Sequence, residues 1–177
     1  MSTIPSTNER AFQVLKSNRY FIMSTIDQDG PWAAGLAFVP AALPPRLYFM
    51  SRYWARHSKA IEKDNRVAGV IFDSRATLVE VESIQFSGKC RRVIDEEELK
   101  IPLKGHPADN GDEPDSIAIH TLMEDPDLWA YCVTIEEAFV LDRAAWMNYK
   151  IDAREKTDIG QVFIDFIKSF EKNRAST

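Results

Sequence analysis

Hydrophobic positions along the chain alternate between helical and strand spacing. From Asn8 to Asn18, Ala11, Phe12, Val14 and Leu15 fall near a helical period behind Thr7 or Asn8 as the N-cap, predicting a short first helix. Tyr20 to Ile26 is aromatic and branched and stops at Asp27-Gln28-Asp29-Gly30-Pro31. Asp-Gly there supplies hairpin-turn chemistry, so strand, turn and strand follow in order. The second strand is expected from Trp32 to Val39, ending at Pro40, and a third from Arg46 to Ser51 after Pro44-Pro45, the two pairing as a hairpin. His57 to Asp64 has room for about two helical turns, with Ala60 and Ile61 inward, before Arg66 to Phe72 returns to strand. Glu80 to Val93 reads as a long strand with a bulge or close backbone approach at Gly88. Glu96 to Lys100 begins a polar helix, Gly105 to Pro114 is an acidic, turn-rich loop, and Asp115 to Glu124 is expected to be helical. Leu128 to Leu141 predicts two strands, through Tyr131–Ile135 and Ala138–Leu141. Ile159, Val162, Phe163, Phe166, Ile167 and Phe170 then recur at the spacing of an amphipathic helix.

Six or seven strands joined mostly by short turns, with small helices between them, predict a mainly β protein, an antiparallel barrel with peripheral helices. The expectation is one domain over residues 1–177, with a barrel core at about 11–142 and a helical extension at about 143–177. A doubly wound parallel sheet fits poorly, because long helices do not alternate with the strands and no Gly-x-Gly-x-x-Gly loop is present. With 177 residues, 45% of them hydrophobic, the chain can bury a sizeable core. Its formal charge of −5 argues against a nucleic-acid partner. The longest uncharged stretch, Pro31 to Pro45, is broken by prolines and shorter than the ~20 residues of a membrane span. Without an apolar run after a basic start, and with only Cys90 and Cys132 in apolar surroundings, a cytoplasmic protein with buried free thiols is expected.

Charge is distributed unevenly. The stretch from Gly30 to Ile61 contains no Asp or Glu, while Arg46, Arg52, Arg56, His57 and Lys59 cluster between the third strand and the short helix. Free backbone N–H groups at a helix start favour an anion, and Ser51 and Ser58 add hydroxyl donors, so this segment suits one phosphate. The same cations fit a solvated helix face. Tyr48, Phe49, Tyr53 and Trp54 beside them, and the small residues Ala33, Ala34, Gly35 and Ala37 on the preceding strand, favour a phosphate attached to a flat ring. His57, His106 and His120 have no metal-ligand spacing with each other or with either cysteine. Ser24, Ser58 and Ser87 lack a nucleophile elbow. Glu80 and Glu82, two apart on a strand, read as solvated charge rather than an acid–base pair, and Trp146 and Tyr149 as packing residues after the last strand.

The segments Phe21–Pro31, Leu47–Ser51, Arg56–Ala68 and Ile84–Cys90, in that order and spacing, resemble the pyridoxamine 5′-phosphate oxidase-like flavin-binding split barrels over about residues 11–142. The resemblance implies a six-stranded antiparallel split barrel that forms a homodimer with two flavin mononucleotides (FMN) at the subunit interface. By position, Arg52, Arg56, His57 and Ser58 would hold the phosphate, with Lys59 in the same cationic cluster, and Phe49, Met50 and Ser51 would border the flavin. The backbone of Ala34, Gly35, Leu36 and Ala37 would face the isoalloxazine, Gln85 would reach the ring or ribityl chain, and Trp146 of a partner subunit would wall the pocket. Two residues depart from the family pattern: Asn65 stands where proline is usual, and His57 where many relatives carry Lys or Arg. The implied function is an FMN-dependent oxidoreductase acting on an unidentified small-molecule substrate. The alternatives are a non-catalytic flavin- or haem-binding module, and a deazaflavin in place of FMN. True pyridoxamine 5′-phosphate oxidation is not expected, because the tail Lys150–Asp158 lacks the Arg-x-His segment that holds the substrate phosphate in the true oxidases.

Overall fold

Alternation along β1 (Tyr20–Asp27) sets the architecture, since Phe21, Met23 and Thr25 turn inward and are buried while Tyr20, Ile22 and Ser24 turn outward. The computed structural model describes residues 5–77, 81–106 and 124–174. The remaining strands among them are β2 (Gly30–Ala37), β3 (Val39–Ala41), β4 (Arg46–Arg52), β5 (Arg66–Phe72), β6 (Ser83–Arg92), β7 (Leu128–Leu141) and β8 (Arg154–Lys156). They form one antiparallel sheet in the order β2-β1-β5-β6-β7-β4-β3, with β8 added to the end of β7. The sheet curls until β2 and β4 approach each other, giving a mainly β split barrel. Among the described residues five helices with given bounds accompany it, α1 (Thr7–Ser17), α2 (Arg56–Lys63), α3 (Glu96–Leu99), α4 (Arg143–Tyr149) and α5 (Ile159–Arg174), with a 3-10 turn at Pro102–Lys104. None of the described helices is long and apolar enough to cross a membrane.

Several boundaries differ from the sequence reading. The described residues hold eight strands rather than six or seven. The chain leaves strand conformation at Phe38, so β2 pairs only with β1, and the expected hairpin with Arg46–Ser51 is made by the separate β3. Leu128–Leu141 is one strand of 14 residues, because β6 on one side and β4 on the other supply pairing along it. The N-cap of α1 is Ser6, one residue before the expected position, in a capping box with Glu9. The short α4 falls within the helical extension expected at about 143–177, whereas β8 interrupts that extension and has no clear periodic signature. The helix expected at Asp115–Glu124 lies, apart from Glu124, outside the described residues, as does the loop after His106.

Gly88 answers to close packing. A β-carbon there would lie 2.1 Å from the Thr134 carbonyl oxygen, and the register between β6 and β7 slips between Ser87 and Gly88, as a bulge requires. The barrel interior is filled: Phe21 meets Phe38 and Phe49 edge-on at 6.0 and 5.9 Å, and Phe49 stacks on Tyr131 at 5.3 Å. Outside the barrel, α5 packs its Phe166 against Phe12 of α1 at 6.0 Å. A smaller apolar cluster of Tyr48, Val93, Ala130 and Cys132 lies against Leu99 and Ile101. Both cysteines are free and buried; Cys90 belongs to the main core and Cys132 to this smaller cluster.

Glu82 is not solvated charge. Its side chain is 14% exposed and accepts from Arg10 Nη1 at 3.3 Å and from Arg143 Nε. Arg10, itself buried, also donates to Glu155 at 2.7 Å and to the Leu141 carbonyl at 2.6 Å, joining α1 to β7, β8 and the start of α4. Glu80 lies outside the described residues. Breaking a buried ion pair strands the remaining charges, so Arg10→Ala is expected to lower unfolding stability by about 3 kcal/mol. Denaturant titration measures it; a loss below about 0.5 kcal/mol, the usual surface value, would show the network to be dispensable.

Candidate functional site

The cationic segment of the sequence sits where β4 ends and α2 begins. The N-cap of α2 is Ala55, which makes no side-chain capping bond, and the first turn holds no acidic residue. The first N–H groups of this eight-residue helix therefore have no side-chain acceptor, and the positive end of its dipole is uncompensated. Arg56, at the first helical position, reaches back to the turn after β1 and donates to Asp27 at 2.7 Å through Nε and 2.9 Å through Nη2. Its guanidinium also lies 4.7 Å from the centroid of the Trp32 ring. The Arg56 hydrogen bonds hold the Asp27 carboxyl down at about 2. Arg52 pairs with Asp125 from the turn before β7. The acid-free stretch of sequence is thus not acid-free in space, because Asp27 arrives from the end of β1 and Asp125 from the turn before β7. Lys59 is exposed, and with Arg56, Lys63 and Trp54 it borders a surface hollow of about 290 Å³.

Beneath these cations lies a buried polar pair. His57 and Ser51, each 8% exposed, share a hydrogen bond of 2.7 Å between His57 Nε2 and Ser51 Oγ. Burial holds the His57 imidazole below its usual value near 6.5, which favours the neutral ring. Ser58, fully buried, faces the hydroxyl of Tyr131, and Phe49 packs over both rings.

The other candidates divide by strand alternation. Ala34 and Leu36 turn into the barrel, whereas Gly35 and Ala37 are exposed on the outer face. Phe49 is a core residue, 2% exposed, so almost none of it is open to a ligand. Met50 turns to the opposite face, beside Val39 and Tyr48 in a cleft of about 420 Å³. Gln85 shares a row with Gly35: the register runs Gly35, Ile22, Val70, Gln85 across four strands, a span of about 14 Å. Its Oε1 accepts from Arg154 Nε at 3.1 Å. Trp146 is 41% exposed on α4, a helix with no buried residue. The structure thus brings Arg56, His57, Ser58, Lys59 and Ser51 together, sets Gly35 and Gln85 on one outer row, and leaves Trp146 apart. Asp27, Trp32 and Tyr131 belong to the arrangement and were missed; only the tertiary fold places them beside α2. Among the described residues no group of His, Cys, Asp and Glu has the form of a metal site.

The family model described as pyridoxamine 5′-phosphate oxidase matches residues 7–141, and the chain belongs to that family. A UPF0306 protein of Pasteurella multocida is 23% identical over 87 residues, 49% of this chain and 58% of that protein. Among solved structures, the heme binding protein from Mycobacterium smegmatis superposes with a TM-score of 0.65 at 16% identity, covering 93% of this chain and 62% of that one. The heme storage protein HutZ of Vibrio cholerae gives 0.59 at 17%, covering 75% and 92%. A Clostridium acetobutylicum protein related to general stress protein 26, of the pyridoxinephosphate oxidase family, gives 0.61 at 13%, covering 88% and 96%. These likenesses establish the fold. The chain spans less than two thirds of the Pasteurella and Mycobacterium proteins.

The buried His57 makes stability depend on pH. Its folded value lies below its unfolded one, so the unfolded chain takes up the proton first as pH falls. The contribution is complete above about pH 6.5 and declines below it. Asp27 contributes in a lower window, complete above about pH 4 and lost toward pH 2. Denaturant midpoints of the wild type are therefore expected to fall between pH 7 and 5 more steeply than those of His57→Gln; identical slopes would mean that His57 is not held neutral by the fold.

Proposed function

We propose that this protein is an FMN-binding flavoprotein with oxidoreductase activity, which works as a homodimer with the cofactor at the subunit interface. The observation that carries the reading is the uncapped N-terminus of α2, which has no acidic residue on its own first turn, with Arg56 and Lys59 on its first turns, Asp27 bound to Arg56, and Ser51 and His57 beneath it. Arg56 engages Asp27 through Nε and Nη2, which leaves Nη1 to donate to a phosphate oxygen. Lys59 and the first N–H groups of α2 are the further donors, and Ser51 holds the neutral His57 ring in place beneath them. The outer row supports the ring end of the cofactor. Gly35 and Ala37 present backbone there, and Gln85 offers an amide at the far side of the same face. When bound, the flavin supplies the electron- and hydride-transfer chemistry. The chain contributes phosphate anchoring, a flat surface and hydrogen bonds to the ring edge.

A homodimer is supported by exposed apolar side chains in this region, Ile26 at 53%, Trp32 at 41% and Trp54 at 53%, and by Trp146 and Met147, exposed apart from it on α4. β2 is also an open sheet edge. Haem binding, named for two of the structural relatives, is less well supported here. The two described histidines, His57 and His106, are 8% and 5% exposed, and His57 Nε2 is occupied by Ser51.

FMN titration followed by flavin fluorescence quenching tests the reading. Each charge-assisted bond contributes about 1.5–3 kcal/mol, so the double variant Arg56→Ala/His57→Ala is expected to bind FMN more than about tenfold more weakly. Riboflavin, which lacks the phosphate, should bind both proteins alike. Superimposable FMN curves would return the cations of α2 to the solvated surface.

A further inference from the structure

The outer row does not end at Gln85. Gln85 lies opposite Phe139 of β7, and Phe139 lies opposite Lys156 of β8. Arg154 stands two residues before Lys156, so it shares the same face of the sheet, and its Nε donates to Gln85 Oε1 at 3.1 Å. Arg154 is itself held in place. Its Nη1 donates to Asp152 and, at 3.1 Å, to the Ala153 carbonyl, and β8 pairs its backbone with Leu141 of β7.

A guanidinium carries donors and no acceptor, so it can meet only the oxygen of a side-chain amide. With Oε1 on Arg154, the Gln85 Nε2 turns away from β8, and it makes no hydrogen bond to the described residues. Its flanking neighbours in the row, Val70 and Phe139, are apolar and offer it nothing. An amide free to rotate would present a donor or an acceptor at the same position, whereas one held by its oxygen presents N–H groups alone.

We infer that Arg154 is a positioning residue: by holding the Gln85 oxygen it fixes Gln85 as a donor-only contact on the outer face, which accepts hydrogen-bond acceptors on the edge of a bound ring and rejects donors there. The inference rests on the proposed function, with the flavin as the ring in question. An isoalloxazine edge carries carbonyl oxygens and bare ring nitrogens that accept, and a ring N–H that donates, so the fixed polarity of Gln85 selects which part of that edge lies beside β6.

The test uses the full-length protein and riboflavin, which has the ring and no phosphate, followed by fluorescence quenching. Gln85→Glu keeps the shape and pairs with Arg154 through a charge-assisted bond, but it has no N–H to offer. Riboflavin is expected to bind this variant about tenfold more weakly while the denaturant midpoint does not fall. Arg154→Met, which lets the amide turn, is expected to weaken binding about threefold, and Arg154→Lys to restore it, because an ammonium also only donates. In a Gln85→Ala background Arg154→Met should have no further effect, since nothing is left to position. Undiminished binding by Gln85→Glu, or an equal loss from Arg154→Met with Gln or Ala at position 85, would overturn the inference and leave the flavin reading standing. Wild-type protein that binds neither riboflavin nor FMN would refute both.

Discussion

Among the described residues, aromatic rings pack the barrel interior. Phe21, Phe49, Phe86 and Tyr131 fill it, and Phe49 on Tyr131 closes the end next to α2. A sheet of this size curls only until its inward side chains meet, and here they meet fully. Among the described residues the candidate ligand positions therefore lie on the outer face of the sheet and at the β4–α2 junction. Alternation then decides which candidates are available: Gly35, Ala37 and Gln85 face out, and Ala34, Leu36 and Phe49 do not.

The junction itself balances two opposing effects. α2 begins without a cap and offers its N–H groups, while Arg56 and Arg52 are tethered by Asp27 and Asp125. Tethering lowers the net positive charge, but it also fixes the Arg56 guanidinium beside Trp32 before any anion arrives. Beneath it, burial rather than any charged neighbour keeps His57 neutral. The site is thus pre-organised more than it is electropositive, which is consistent with a ligand that carries one phosphate and a large uncharged body.

Much of the fold was legible because it is local. The Asp27–Pro31 turn, the bulge at Gly88 and the amphipathic face of Ile159–Phe170 are written in neighbouring residues, and all three stand in the structure. What escaped depends on distant partners. Leu128–Leu141 looks like two strands because Glu136 and Glu137 interrupt its apolar run, yet β6 spans the interruption through its bulge. The break at Phe38 arises because the chain crosses from one sheet edge to the other, and that residue must point into the core. Asp27 and Asp125 could not be assigned to Arg56 and Arg52 from sequence, since the pairs are separated by 29 and 73 positions. Glu82 looked solvated for the same reason, its partners Arg10 and Arg143 being 72 and 61 positions away.

The central claim is that a flavin lies on the outer face of this family barrel, anchored at α2. The absorption spectrum of the purified protein, after mixing with FMN or with haem and removal of unbound cofactor, tests it most directly. The account predicts that the FMN sample keeps the paired near-ultraviolet and blue bands of an oxidised flavin, and that the haem sample returns no Soret band. A retained Soret band with no flavin absorbance would contradict it.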